Sequence, residues 1–129
     1  MRLNQVTIGA TDLARSIAFY QMLGLHLIVK SPHYARFELP DGDSTFSLHL
    51  APEGPGSHAP VIYFECAALD ADVARLKAAG VAFDIDPVDQ TWLWREAHLR
   101  DPAGNALILY HAGVNRTHPP WRLADAVTT

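Results

Sequence analysis

Gln5, Thr7, Ser47, His49, Tyr63 and Glu65 share one property: each sits in a short apolar stretch, on the side opposite its apolar neighbours. Successive side chains of a strand point to opposite faces. Val6 and Ile8 therefore oppose Gln5 and Thr7. Phe46, Leu48 and Leu50 oppose Ser47 and His49. Ile62, Phe64 and Cys66 oppose Val61, Tyr63 and Glu65. The same phase adds Tyr34 with Arg36, and Glu96 with His98. The apolar faces are expected to pack on helices and the polar ones to line a cleft. A few convergent polar groups are what a small-molecule site uses to orient its ligand. A histidine facing a carboxylate, as His49 would face Glu65, is equipment for acid–base work. Plainer readings stand beside these. His49 also reads as a solvated histidine on a half-exposed sheet, and Glu65 as an edge carboxylate. His33, His58, His111 and His118 fall in loops or the tail and read as solvated. Trp92, Trp94 and Arg95 read either as a stacking wall for a planar ligand or as a loop packed over the sheet.

The elements that would position these groups occur twice in the same order. A strand at residues 6–8 leads to an amphipathic helix in which Leu13, Ile17 and Tyr20 share a face. Thr11 or Asp12 can cap its first free amides, and Gly24 can end it in the left-handed conformation. A strand follows at 25–29. The hairpin strands 34–38 and 45–50 turn at Pro40-Asp41-Gly42-Asp43. The second half repeats this with a strand at 61–66, a helix expected to be capped by Asp70 and ended by Gly80, a strand at 81–83, and a hairpin turning at Asp101-Pro102-Ala103-Gly104-Asn105. The helix faces expected in the core include Val73 and Leu76. Each half is β-α-β-β-β: module one spans 1–50, a proline- and glycine-rich linker 51–60, module two 61–112 and an irregular tail 113–129. Together they are expected to form one domain. Trp121, in the tail, reads as an anchor against the body or a partner subunit.

The strings Thr11-Asp12-Leu13, Ser16, Phe19-Tyr20 and Leu23-Gly24 resemble the opening signature of the vicinal oxygen chelate superfamily. This is the glyoxalase, bleomycin-resistance and extradiol-dioxygenase group. Leu69-Asp70-Ala71, residues 75–81 and Arg100-Asp101-Pro102-Ala103-Gly104-Asn105 resemble its second-module signature. The resemblance runs from residue 3 to about 112. It implies an α+β fold in which two β-α-β-β-β modules form a curved mixed sheet around a cleft. In metal-using members the ligands come from the first and last strands of each module, two per module. Carried over, those positions fall on Gln5, His49, Val61 and Ile108. Valine and isoleucine have no donor atom. Glyoxalase I also relies on the last-strand carboxylate for proton transfer, so Ile108 speaks against ordinary glyoxalase I or extradiol dioxygenase chemistry. Tyr110, two residues beyond Ile108, joins the expected cleft set of Gln5, Thr7, Arg36, Ser47, His49, Tyr63, Glu65 and His98.

Two function classes stay open. The chain is a binding protein like the bleomycin-resistance branch, with no assured cofactor. Otherwise it is a metal-dependent lyase or dioxygenase whose remodelled site holds one divalent ion on Gln5, His49 and Glu65. A small-molecule ligand and a homodimer are implied in either case. A net charge of −4 with scattered arginines favours neither nucleic acid nor an anionic membrane. The 49% hydrophobic content supports a real core, yet no apolar run approaches the ~20 residues of a membrane span. Cys66 is the single cysteine, which excludes an internal disulfide and suits a reducing, cytoplasmic setting.

Overall fold

The computed structural model describes residues 1–124. Module one consists of β1 (Gln5–Ala10), α1 (Leu13–Met22), β2 (His26–Lys30), β3 (Tyr34–Glu38) and β4 (Thr45–Leu50). Module two consists of β5 (Ile62–Glu65), α2 (Leu69–Ala78), β6 (Phe83–Asp89), β7 (Arg95–Arg100) and β8 (Ala106–His111). Each forms its own four-stranded mixed sheet, ordered β1-β4-β3-β2 and β5-β8-β7-β6. In both, the first strand pairs in parallel with the last, and the remaining pairs are antiparallel. The sequence suggested a strand at 81–83; the strand instead starts at Phe83 and runs through Pro87, with register shifts on the way. As the last strand in its sheet order, β6 tolerates a proline, whose missing N–H breaks no inner ladder.

Helix capping differs between the modules. Asp12 is the N-cap of α1 and its side chain accepts from the Arg15 amide at 3.1 Å. The corresponding residue of α2 is Ala68, which has no side chain to cap with. Asp70, expected as the cap, lies in the first helical turn instead, where its charge still complements the positive end of the helix. Gly24 and Gly80 end the helices with φ of 101° and 98°.

Ile17, Tyr20, Val73 and Leu76 are buried as the helical periodicity requires, with Leu13 partly buried beside them. They share one core with Ile8, Phe37, Phe46, Leu48, Leu99, Leu107 and Leu109 from the inner faces of both sheets. Phe46 of one sheet meets Phe64 of the other with ring centroids 5.8 Å apart. A polar latch closes this seam. The hydroxyl of Tyr20, on α1, donates to Asp101 Oδ2 at 2.7 Å. Asn105 Nδ2 donates to the Gly9 carbonyl on β1 at 2.8 Å and to the same Asp101 oxygen. Asp101 Oδ1 takes the amides of Ala103 and Asn105. The β7–β8 turn thus locks module two onto module one. The tail begins with a short 3-10 turn, Gly113–Arg116, and Trp121 is exposed rather than seated on the body. No helix among the described residues is long and apolar enough to cross a membrane.

Candidate functional site

Strand register decides which polar groups are neighbours. On the first sheet, one row runs Gln5, Thr45, Glu38 across β1, β4 and β3. The next is Thr7, Ser47, Arg36, and the third is Gly9, His49, Tyr34. All share the face turned away from the core. Thr7 and Ser47 join their hydroxyls in a short hydrogen bond. Arg36 Nε donates to the Tyr34 hydroxyl at 2.9 Å. The Ser47 hydroxyl, and after it the Arg36 guanidinium, lower the Tyr34 phenol below its ordinary range, against the opposing effect of burial.

Gln5 and His49 share this face but not a row. Gln5 lies opposite Thr45 and His49 opposite Gly9, four residues further along. At ~3.3 Å per residue that separates them by roughly 13 Å. Gln5 Oε1 instead accepts from the Thr45 hydroxyl at 2.8 Å. Glu65 belongs to the other sheet, in the row Glu65, Tyr110, Glu96. All three groups are exposed. The expected meeting of Gln5, His49 and Glu65 around one ion is therefore not what the strands produce. Among the described residues, no three His, Cys, Asp or Glu side chains gather as a metal site.

The outer face of the second sheet carries the denser cluster. Tyr63, Ile108 and His98 form one row, and Glu65, Tyr110 and Glu96 the next. Trp94 stacks on Tyr110 with centroids 4.8 Å apart and planes 26° apart. Tyr63 stands edge-on to both, at 5.9 and 5.5 Å. Beside this wall Glu96 is only 2% exposed. A buried carboxylate is costly unless its oxygens are bonded. Here Oε2 accepts from the Trp92 indole at 2.8 Å and Oε1 lies 2.9 Å from His98 Nε2. The β6–β7 turn that delivers both tryptophans is tight: Leu93 adopts φ 68°, a left-handed conformation uncommon for a branched side chain. Burial, and then the charge of Glu96, raise the Tyr63 phenol above its ordinary value; burial and then Glu65 do the same for Tyr110. Both phenols are thus held neutral.

Sequence reasoning placed His98, Tyr63 and Tyr110 in the site set, and strand phase placed Glu96 beside His98. It missed the pairing of Glu96 with Trp92. An indole four residues before a carboxylate, across the start of a strand, was the available signal. Arg95 does not join this wall: it pairs with Asp70 and Asp89. Two hollows of about 280 and 310 Å³ lie along α2, lined in part by Asp70 and Arg95, away from these outer faces.

Residues 2–109 match the Glyoxalase/Bleomycin resistance protein/Dioxygenase superfamily. The chain belongs to this superfamily. It is 28% identical over 131 residues to a trivalent organoarsenical cleaving enzyme of Bacillus sp. (strain MD1), covering 93% of this chain and 81% of that protein. A superfamily member from Nocardioides superposes with a TM-score of 0.76 at 23% identity, covering 96% of this chain and 90% of its own. A bleomycin-binding protein solved with bleomycin superposes with a TM-score of 0.71 at 18% identity, covering 86% and 98%.

The superfamily's metal can be tested against the donors this chain offers. Ile108 pairs with Tyr63 in module two as Ser47 pairs with Thr7 in module one, so the module-one counterpart of Ile108 is Ser47 and not His49. The four corresponding side chains are then an amide, a hydroxyl and two hydrocarbons: Gln5, Ser47, Val61 and Ile108. A divalent ion needs several strong oxygen or nitrogen donors. This set does not fit one.

Proposed function

We propose that the protein binds a small planar molecule against the Tyr63, Trp94 and Tyr110 wall, as a cytoplasmic homodimer, without using the superfamily's metal position. The observation that carries this is the stacked Trp94–Tyr110 pair beside a buried, doubly bonded Glu96. Aromatic walls with a few fixed polar groups are the usual make-up of a ligand site. The rest of this face supports a cover supplied by a second copy. Ile85, Val88, Trp92 and Leu93 are between 42% and 47% exposed around the wall, an apolar margin that a lone chain leaves in water. The first sheet's outer face, with Thr7, Arg36 and His49 over the buried Ser47, is the natural opposite wall from the partner.

The test is a titration of tryptophan fluorescence with bleomycin and a panel of planar aromatics. A ligand should quench the signal, and Trp94→Ala should weaken its binding at least tenfold with the fold retained by circular dichroism. Undiminished affinity in Trp94→Ala would overturn the assignment.

A metal-dependent lyase or dioxygenase on Gln5, His49 and Glu65 is the competing reading. The ~13 Å between the first two positions opposes it. Metal analysis with a thermal-shift screen against divalent ions separates the two: a stoichiometric ion lost in His49→Ala would favour the enzyme. Arsenical cleavage has no evident thiol here either. Trivalent arsenic seeks sulfur, and Cys66 lies on the core-facing side of β5's end, its thiol pushed up to about 11 by burial and then by Asp72.

A further inference from the structure

We infer that His98 is a metal-free general base, oriented by Glu96, so that this face transfers protons on a planar carbon acid such as a conjugated carbonyl compound. The inference rests on the binding site proposed above and adds chemistry to it.

The hydrogen-bond roles follow from the donors. The Trp92 indole can only donate, and an ionised carboxylate only accepts. With both Glu96 oxygens accepting, His98 Nε2 carries the hydrogen shared with Oε1. Nδ1 then holds the free lone pair. Among the described residues no group is bonded to that nitrogen, and the His98 side chain is 30% exposed. A histidine whose one nitrogen is fixed by a carboxylate while the other is open is oriented to take a proton, and the carboxylate stabilises the imidazolium that forms. Trp92 holds Glu96 in place from its second oxygen, which makes Glu96 and Trp92 positioning residues.

The surroundings match the task. Ile108 lies between His98 on one side and Tyr63 on the other in a single row. Neighbouring strands are ~4.8 Å apart, so the two side chains stand over backbones roughly 10 Å apart. Ile108 itself is covered, only 7% exposed with Trp94 packed against it, so a flat ring would rest on Tyr63, which is 47% exposed, within reach of His98. Where metal-using relatives place a ligand carboxylate, this chain has a buried hydrocarbon with a histidine beside it. The charged groups around His98 are Glu96 and, two residues on along the same face, Arg100 on β7, Glu65 beyond Tyr63 on β5, and Asp84 and Asp86 flanking Ile85 on β6. Asp84 and Asp86 pair with Arg100 and Lys77.

In the step, a C–H proton moves to His98 Nδ1. The C–H electron pair becomes the new π bond of an enolate, and the neutral Tyr63 hydroxyl donates to the developing oxyanion. The imidazolium returns the proton to another carbon, completing an isomerisation with no co-reactant.

The probe is 5-nitrobenzisoxazole, a planar carbon acid. Loss of its ring C–H proton to a base forms a nitrile as the N–O bond breaks, releasing a coloured phenolate. Chelator-treated protein should accelerate this at least a hundredfold over equimolar imidazole. His98→Ala should remove at least nine-tenths of kcat, while His58→Ala leaves it unchanged. Glu96→Gln should lower kcat with little change in KM and displace the pH–rate profile. If Glu96→Gln fails to fold, Trp92→Phe should show the same kcat-selective loss in milder form. Probe that quenches tryptophan but turns over no faster than imidazole would overturn the base and leave the binding site standing. Full turnover in His98→Ala would also overturn it. Neither quenching nor turnover would overturn both.

Discussion

Tyr20 and Asp101 show how one hydroxyl can govern the union of two modules. The phenol is fully buried, and burial, followed by the adjacent Asp101 carboxylate, raises its ionisation far above the ordinary range. A hydrogen bond to a charged partner contributes ~1.5–3 kcal/mol, so Tyr20→Phe should lower stability at neutral pH by that order in urea melts. The pH dependence has a definite sign. A raised folded value means that stability is fully present below the unfolded phenol's ordinary value of 10.0 and falls as the pH rises beyond it. Unfolding free energy should therefore drop between pH 9.5 and 11. The drop should be shallower in Tyr20→Phe, because the largest contributor is gone. Equal slopes in the two proteins would show that Tyr20 does not carry the effect. The sequence marked Tyr20 as a core position through its spacing from Leu13 and Ile17. That its hydroxyl would find Asp101, 81 residues away, depends on the seam between modules.

At the scale of elements, the two helices do equal work with unequal means. α1 has an Asp12 cap and an aromatic inner face, where Tyr20 meets Phe37 and Phe46. α2 begins without a side-chain cap and depends on Leu69, Val73 and Leu76 against the second sheet. Leu76 is 2% exposed. Leu76→Ala should cost ~2–5 kcal/mol, from lost transfer energy and the cavity left behind. Denaturant titration reads this directly, and a change below about half a kcal/mol would mean that α2 bears little of the core. The strands are less symmetrical than their sequence pattern suggests. β6 breaks register twice and passes through Pro87, which adapts it to the sheet edge and carries the chain to the strained turn holding Trp92 and Trp94.

For the molecule as a whole, the outer sheet faces are the surfaces that bear on assembly. The second sheet's outer face exposes Tyr63 and the apolar margin around it. A second copy would bring Thr7 and Arg36 opposite that wall, and cover in water what the chain alone leaves bare. Sedimentation equilibrium at micromolar concentration should give about twice the mass of the chain. Lys substituted for exposed Val88 should shift the population towards monomer and weaken ligand quenching together. A monomer that still binds ligand tightly would separate the site from the interface.

Amphipathic spacing determined the helices, their buried faces and the duplicated β-α-β-β-β order, because periodicity is a local property that survives in any correct tertiary context. Strand alternation likewise assigned Gln5, Thr7, Ser47, His49, Tyr63 and Glu65 to the polar side of their strands. Alternation carries no information along the strand, however. A parallel pair can be slid by two residues with every side chain still on its own face. Register alone put Gln5 beside Thr45 and Ser47 beside Thr7, which parted Gln5 from His49. The tight turn at Leu93 likewise brought Trp92 back over Glu96, beside His98. Which polar residues face the same way was legible in the chain; which of them touch was decided by hydrogen-bond register and by the burial that forced Glu96 to find partners.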